Sequence, residues 1–473
     1  MRRAKIVATL GPAVSSYENI KAIIDAGVDV ARMNLSHGSH DVHEEIYRTV
    51  RKAAVDAGKS VGIFVDLQGP KIRLARFKSG PVFLEKGATF KITTDDVEGD
   101  VSICGTTFKG LPDDVKPGDA LLIDDGKVRL RATEVSSTTV TAVVEVAGEV
   151  SNNKGINLPG VAVNVPALSE KDEVDLRWAL KIGVDMIALS FVRNASDIVR
   201  VHEIMKEEGR VLPVIAKVEK PQAVENLEEI IDAFDGIMVA RGDLGVELPL
   251  EQVPLVQKRA VELARRWAKP VIVATQMLES MIHSSIPTRA ETSDVANAVL
   301  DGADALMLSG ETSVGEFPVE TVATMAKIIQ STEENGLDRI PALGTKPHTH
   351  AGAVSLAAME IAELLGSKFV CVFTESGDSL KRISRLRSSV PVLTFTPNQD
   401  VANRLALVWG AQTFLVPKVD HTDAMFNQVD STVLAEGLCK AGDEVVVVAG
   451  TPPGVSGSTN TLRVHKVGSG ALN

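Results

Sequence analysis

Short β-branched runs alternate with stretches whose apolar positions return every three or four residues, a rhythm that restricts this chain to a parallel sheet clothed in helices. Runs at 5–9, 28–33 and 61–66 precede a break, and runs at 186–190, 213–217, 236–240, 270–274 and 305–308 follow it. Three plus five makes eight units, and eight such units predict a closed (β/α)8 TIM barrel with its chemistry on the loops after the strands. An open doubly wound sheet is the competing arrangement. It is disfavoured because no strand run leads into a Gly-x-Gly-x-x-Gly turn.

Between about 70 and 166 the texture changes to short alternating strands punctuated by Pro117-Gly118-Asp119, Asp124-Asp125-Gly126 and Leu158-Pro159-Gly160. This is an inserted β domain. Beyond a polar stretch at 335–350, new strand runs at 369–373, 390–395, 412–416 and 444–448 announce a separate open α/β domain. The expected division is therefore 1–69 with 167–337, 70–166, and 338–473, in keeping with a length of 473 residues that exceeds one compact core.

The formal net charge of -12 speaks against nucleic acid or an anionic membrane as partner, so anionic substrates require a local basic cluster. No run approaches the roughly 18 apolar residues of a membrane span. Met1-Arg2-Arg3 resembles the start of a signal peptide, but Lys5 and Gly11-Pro12 interrupt the apolar stretch before it matures. Cys104, Cys371 and Cys439 are scattered and lack metal or disulfide spacing. A cytoplasmic location is expected.

The strand ends carry the chemistry. In an extended chain Arg32, Asn34 and Ser36 share one face, as do Lys217 and Glu219. Asp66 ends the third run, with Lys71 and Arg73 just beyond, and Asp243 ends the sixth. Two carboxylates about 4 Å apart without a counterion repel by about 4 kcal/mol at an effective dielectric near 20, so Glu219 and Asp243 predict a bound cation. Oxygen donors in small number favour Mg2+ or Mn2+. The seventh and eighth runs add Thr275 and Ser309 at the same rim. A capped turn accounts for Ser36 alone, and solvent exposure or a helix start accounts equally for His37, His40 and His43 without a metal. Met277 and Met281 are expected in the core.

Taken in order, 5–12, 31–38, 238–245 and 274–281 resemble the pyruvate kinase family, and the likeness extends from Lys5 to Val467. The resemblance implies transfer of the phosphoryl group of phosphoenolpyruvate to ADP, giving pyruvate and ATP. It implies that Glu219 and Asp243 hold magnesium, that Lys217 and Arg32 face the phosphoryl group, and that Gly242, Asp243, Thr275 and Ser309 hold substrate. Thr275 also serves the proton relay. Asn34, Ser36, His37, Arg73 and Lys154 are implied for the nucleotide, with the inserted domain acting as a β-barrel lid that excludes water. A homotetramer is usual in the family.

One departure stands out. Asn34, Ser36 and Asp66 match the family's potassium site, but Leu67, Gln68 and Lys71 replace its usual Thr, Lys and Glu, so the Lys71 ammonium is expected to stand in for the ion and make K+ largely dispensable. In the last domain, Thr374, Glu375, Ser376, Gly377, Asp378 and Ser379 follow a strand and open a helix, a place for an effector phosphate or an ordinary cap. The acidic pair Glu375 and Asp378 suits a sugar monophosphate or AMP better than a bisphosphate, and 451–459 lacks Trp and Arg to secure one. Two other functions remain open from the residues alone. A metal-dependent aldolase or carboxylase has no use for Arg73 or a lid reaching ADP, and a non-catalytic scaffold predicts loss of Lys217, Glu219 or Asp243, all of which are present.

Overall fold

The computed structural model describes residues 2–161, 165–453, 457 and 459–469. Among the described residues, a closed barrel of eight parallel strands forms the centre: β1 (Lys5–Thr9), β2 (Val30–Asn34), β3 (Gly62–Asp66), β4 (Met186–Leu189), β5 (Val214–Val218), β6 (Gly236–Ala240), β7 (Val271–Ala274) and β8 (Ala305–Leu308). Closure comes from β1, which pairs with β2 at Val7↔Val30 and with β8 at Lys5↔Ala305. Although the inserted domain separates them in sequence, β3 and β4 pair directly at Phe64↔Met186. Strand boundaries fall within two residues of the sequence expectation.

Every position of β1, β3, β5 and β6 is buried, as strands covered on both faces must be. Alternate residues divide the apolar work. Ile6, Ala31, Ile63 and Ile187 join the cluster shared with the surrounding helices. Val7, Val30, Phe64, Met186, Ile215, Met238 and Ile272 form a second cluster inside the barrel, joined by Ala406 and Leu407 from the C-terminal domain. Continuing the inward face toward the strand ends gives Thr9, Arg32, Asp66, Ser190, Lys217 and Ser309. The last layer of the barrel interior is therefore polar.

The inserted domain is a mostly antiparallel six-stranded sheet, in the order Ile156–Asn157, Ala120–Ile123, Val128–Val135, Thr139–Val146, Thr89–Thr93, Ile103–Gly105, with a ribbon of Val82–Leu84 and Gly148–Val150. Its own core includes Leu74, Phe90, Leu121, Leu130 and Val140. The C-terminal sheet runs Ala411–Leu415, Val392–Thr396, Val370–Phe373, Glu444–Gly450, Thr459–Lys466, the last strand antiparallel. The sequence pattern missed that fifth strand because it lies at an edge and alternates polar residues such as Asn460 and Arg463 with few apolar ones. This domain is locked to the barrel through Arg387, whose guanidinium meets Asp304 at 2.9 Å and lies 4.9 Å from the Trp409 ring centre. No described helix is long and apolar enough to cross a membrane.

Candidate active site

At the barrel mouth the polar layer is a single network centred on Asp66. Arg32 Nε donates to Asp66 Oδ2 at 2.8 Å, and Arg32 Nη1 to Thr9 Oγ1 at 3.0 Å. Lys217 Nζ lies 3.2 Å from Asp66 Oδ1 and 2.8 Å from Glu219 Oε1, and donates to Ser190 Oγ at 2.8 Å. Burial alone would favour the neutral forms of these groups. For Asp66, Lys217 and Arg32 outweigh burial and hold the carboxyl below its ordinary value. For Lys217, the Asp66, Glu219 and Asp243 carboxylates outweigh burial and keep the ammonium charged. Two fixed cations thus face the opening of a largely dry site, where their attraction for an incoming phosphoryl group is strongest.

The loops beyond the strands are bent to serve this layer. Phe191, Thr275 and Gln276 have φ of 55°, 72° and 54°, a left-handed conformation that costs residues other than glycine about 1 to 3 kcal/mol each. At Phe191 the bend points a backbone N–H at Glu219 Oε2, 2.9 Å away. At Thr275 it brings Oγ1 to the Gly242 N–H, which donates at 2.7 Å. Ser309 Oγ is buried without a hydrogen-bond partner, a polar atom available to a ligand.

Glu219 and Asp243 fit a hard divalent ion. The Glu219 carboxyl is pushed up chiefly by burial, opposed by Lys217, and pushed up further by the like charge of Asp243, so the two carboxylates act on one another across the mouth. Among the described residues there is no cluster of three or more His, Cys, Asp or Glu placed around one ion. Two protein oxygens with the remaining positions left to water and phosphate is the arrangement magnesium prefers over a closed protein cage.

The nucleotide candidates are less tightly assembled. Asn34 pairs in register with Asp66, and its Oδ1 accepts the Ser36 N–H at 3.1 Å. Arg73 Nη1 donates to Asn153 O at 2.9 Å, while Lys154 Nζ is held by Asp124 Oδ1 at 2.9 Å inside the lid. His37 is exposed, and its carbonyl accepts from His43. Lys71 runs along Gly155 of the lid and lines the cleft between lid and barrel with Phe191, Lys220 and Asp243. It is not an ion partner of Asp66, whose cations are Arg32 and Lys217. The Leu67 carbonyl accepts from Ser190 Oγ at 2.7 Å.

Sequence reasoning overlooked Thr9, Ser190 and Lys171. The first two continue the inward parity of Val7 and Ala188, a signal that was available. Lys171 Nζ donates to Leu35 O at 2.8 Å, bracing the loop that carries Ser36 and His37, and nothing in its helix marked it. Met277 and Met281 are buried, as expected.

In the C-terminal domain, Thr374 Oγ1 accepts the Gly377 N–H at 2.8 Å, and Ser379 Oγ lies 2.5 Å from Thr459 Oγ1. Asp378 is paired with Arg382 at 2.7 Å. Thr374, Glu375, Ser376 and Ser379 border a concavity that Lys418 also lines. Of the 451–459 loop, residues 454–456 and 458 lie outside the described residues.

Comparison with known proteins agrees with this geometry. The family model for the pyruvate kinase barrel domain matches residues 1–322, and that for the pyruvate kinase alpha/beta domain matches 352–465. The chain is 58% identical to a pyruvate kinase of Corynebacterium efficiens, covering 99% of this chain and 98% of the relative. It is 55% identical to one of Mycobacterium tuberculosis, covering 99% of each. A crystal structure of a pyruvate kinase from Cryptosporidium parvum superposes with a TM-score of 0.93 at 34% identity, covering 98% of this chain and 96% of that one. A barrel whose mouth holds paired cations beside paired carboxylates, with matches to both family domains, belongs to the pyruvate kinase family, which transfers the phosphoryl group of phosphoenolpyruvate to ADP.

Proposed function

We propose that Arg32, Lys217 and Thr275 carry out this transfer, with Glu219 and Asp243 holding Mg2+ or Mn2+. The carrying observation is the convergence of Arg32 and Lys217 on Asp66 in the polar layer above the barrel core. Arg32 and Lys217 draw the phosphoryl oxygens to the mouth, and Ser309 Oγ, with the Gly242 N–H once it is released from Thr275 Oγ1, receives the carboxylate end. A β-phosphate oxygen of ADP forms the new P–O bond as the bond to the enol oxygen breaks. Lys217 then stabilises the negative charge left on that oxygen. A proton delivered at the methylene carbon through the Thr275 hydroxyl completes pyruvate. The divalent ion, when bound, neutralises charge on the phosphoryl and carboxylate oxygens.

Asn34, Ser36, His37, Arg73 and Lys154 serve ADP in this reading. For Lys154 that requires release from Asp124. The positions Asn34, Ser36, Asp66 and Leu67 need no potassium ion, and activity is largely independent of K+. The support is chemical: Lys71 adds a cation to the cleft, and Asp66 already faces two others. Thr374, Glu375, Ser376, Gly377, Asp378 and Ser379 take the phosphate of a sugar monophosphate or AMP, a reading favoured by Lys418 on the same concavity. The working unit is a cytoplasmic homotetramer, built from a barrel (1–69 and 167–337), a lid (70–166) and a regulatory domain (338–473).

The deciding experiment follows pyruvate formation from phosphoenolpyruvate and ADP with and without magnesium, alongside Lys217→Met. Metal-independent turnover, or full activity in the variant, overturns the residue roles. Repeating it in tetramethylammonium buffer with and without potassium tests Lys71, and strong activation by potassium removes that part.

A further inference from the structure

Asp243 and Glu247 stand four residues apart on the helix Arg241–Glu247, so their carboxylates project from one face. Asp243 faces the barrel mouth. Glu247 is used by none of the steps above, yet its side chain is only 2% exposed. Its Oε1 receives two donors from different parts of the fold, Lys220 Nζ at 2.5 Å and Asn157 Nδ2 at 3.1 Å.

Each donor leads somewhere specific. Lys220 directly follows Glu219, and its ammonium also sits 5.2 Å from the ring centre of Phe191. Phe191 is the residue whose N–H holds Glu219 Oε2. The Lys220 end of the contact is therefore tied to Glu219 through its neighbour in sequence and through Phe191. Asn157, the other donor, belongs to the lid strand Ile156–Asn157. One buried carboxylate thus joins the end of β5, the helix after β6, and the lid. A carboxylate so far removed from water tolerates little change in geometry, because it finds no comparable solvation elsewhere.

We propose that Glu247 is a positioning residue that fixes the separation of the Glu219 and Asp243 carboxylates and, through Asn157, makes that separation depend on where the lid sits. This rests on the reading of Glu219 and Asp243 as the divalent-ion donors. Coupling of this kind is reciprocal: a lid contact that tightens the ion site is itself tightened by the ion.

The test titrates Mn2+ into the full-length protein without substrates, following free ion by electron paramagnetic resonance and amide exchange across 155–161. Glu247→Gln and Lys220→Met are each expected to weaken Mn2+ binding by about 10- to 100-fold, the scale for groups that orient metal ligands from behind. Lys220→Arg, which preserves the charge pair, is expected to return binding toward wild type. Mn2+ is expected to slow exchange at 155–161 in the wild type, and Asn157→Ala to abolish that slowing. Asp243→Asn serves as the control: wild-type Mn2+ affinity in that variant overturns the assignment of the ion donors themselves. If Asp243→Asn loses the ion while Glu247→Gln and Lys220→Met bind it normally, the role of Glu247 alone falls. A variant that melts earlier but binds Mn2+ with unchanged affinity when folded also overturns it. Exchange at 155–161 that ignores Mn2+ in the wild type removes the link to the lid.

Discussion

The Lys217 ammonium and the Glu219 carboxylate meet at 2.8 Å on one face of the end of β5. A divalent ion bound at Glu219, as proposed, would share that carboxylate with a lysine. Lys217→Met is expected to lower kcat by about 10³-fold, the scale of losing one preorganised group at a developing oxyanion. Mn2+ affinity is expected to stay the same or tighten, because Glu219 loses its competing cation. Steady-state pyruvate formation and a Mn2+ titration separate the two effects, and weaker Mn2+ binding counts against the shared carboxylate.

A histidine beneath the Ser36 loop is expected to give ADP binding a pH dependence. His43 Nε2 lies 2.7 Å from the His37 carbonyl, which can only accept, so the neutral ring carries its proton on Nε2. Its Nδ1 is buried without a partner. Burial lowers the His43 pKa from the ordinary value, although the His37 carbonyl opposes this. A depressed folded pKa means that the contribution to stability is present above the unfolded value of about 6.5 and is lost as pH falls through the folded value. The KM for ADP is expected to rise only as pH falls through the depressed folded value of His43, below the ordinary imidazole range, while His43→Gln, which keeps a donor but does not titrate, flattens the profile. An unchanged profile in that variant assigns the pH dependence elsewhere.

The contact between barrel and C-terminal domain should be sensitive to removal of either charge. Arg387 and Asp304 have side chains only 2% and 6% exposed. Asp304→Asn leaves the guanidinium buried beside a neutral group, and the expected loss is about 3 to 5 kcal/mol. The double change Asp304→Asn with Arg387→Met is expected to lose less than the single one. Calorimetric unfolding of the three variants decides it, and additive losses defeat the pairing.

All three cysteines, Cys104, Cys371 and Cys439, are buried free thiols. Burial pushes Cys104 up to about 11 and raises Cys371 and Cys439 as well, so little thiolate exists at neutral pH. A disulfide reagent such as dithionitrobenzoate at pH about 8 is expected to label none of them until denaturant is added. Rapid labelling of the native protein contradicts their placement.

The barrel and its chemistry were legible because polar residues interrupt otherwise apolar strands at their ends. Arg32, Asp66, Lys217 and Glu219 are costly there unless they face one another, and a period of two tells which face they share. Hydroxyls are less informative. Thr9 and Ser190 occupy the same layer, but Ser and Thr at strand ends are so often caps that parity alone had to reveal them. Contacts between elements distant in sequence leave no local trace, which is why Lys171 on Leu35 and Asp124 on Lys154 emerged only from the fold. The edge strand Thr459–Lys466 was hidden for the opposite reason, since too few of its residues face a core.

The pairing of Lys5 with Ala305 sets a timetable for biogenesis. At a synthesis rate of about 5 to 20 residues per second, the first strand waits about 15 to 60 s for its neighbour to be made. Throughout that interval β1 presents an open edge, apolar at Ile6, Val7 and Ala8, of the kind chaperones bind. The inserted domain, contiguous in sequence and with its own core, needs no such delay. Ribosome-stalled chains ending near residue 200 are expected to carry a protease-resistant lid beside a protease-sensitive half-barrel. Nascent chains would then depend on escort until the last barrel strand leaves the ribosome.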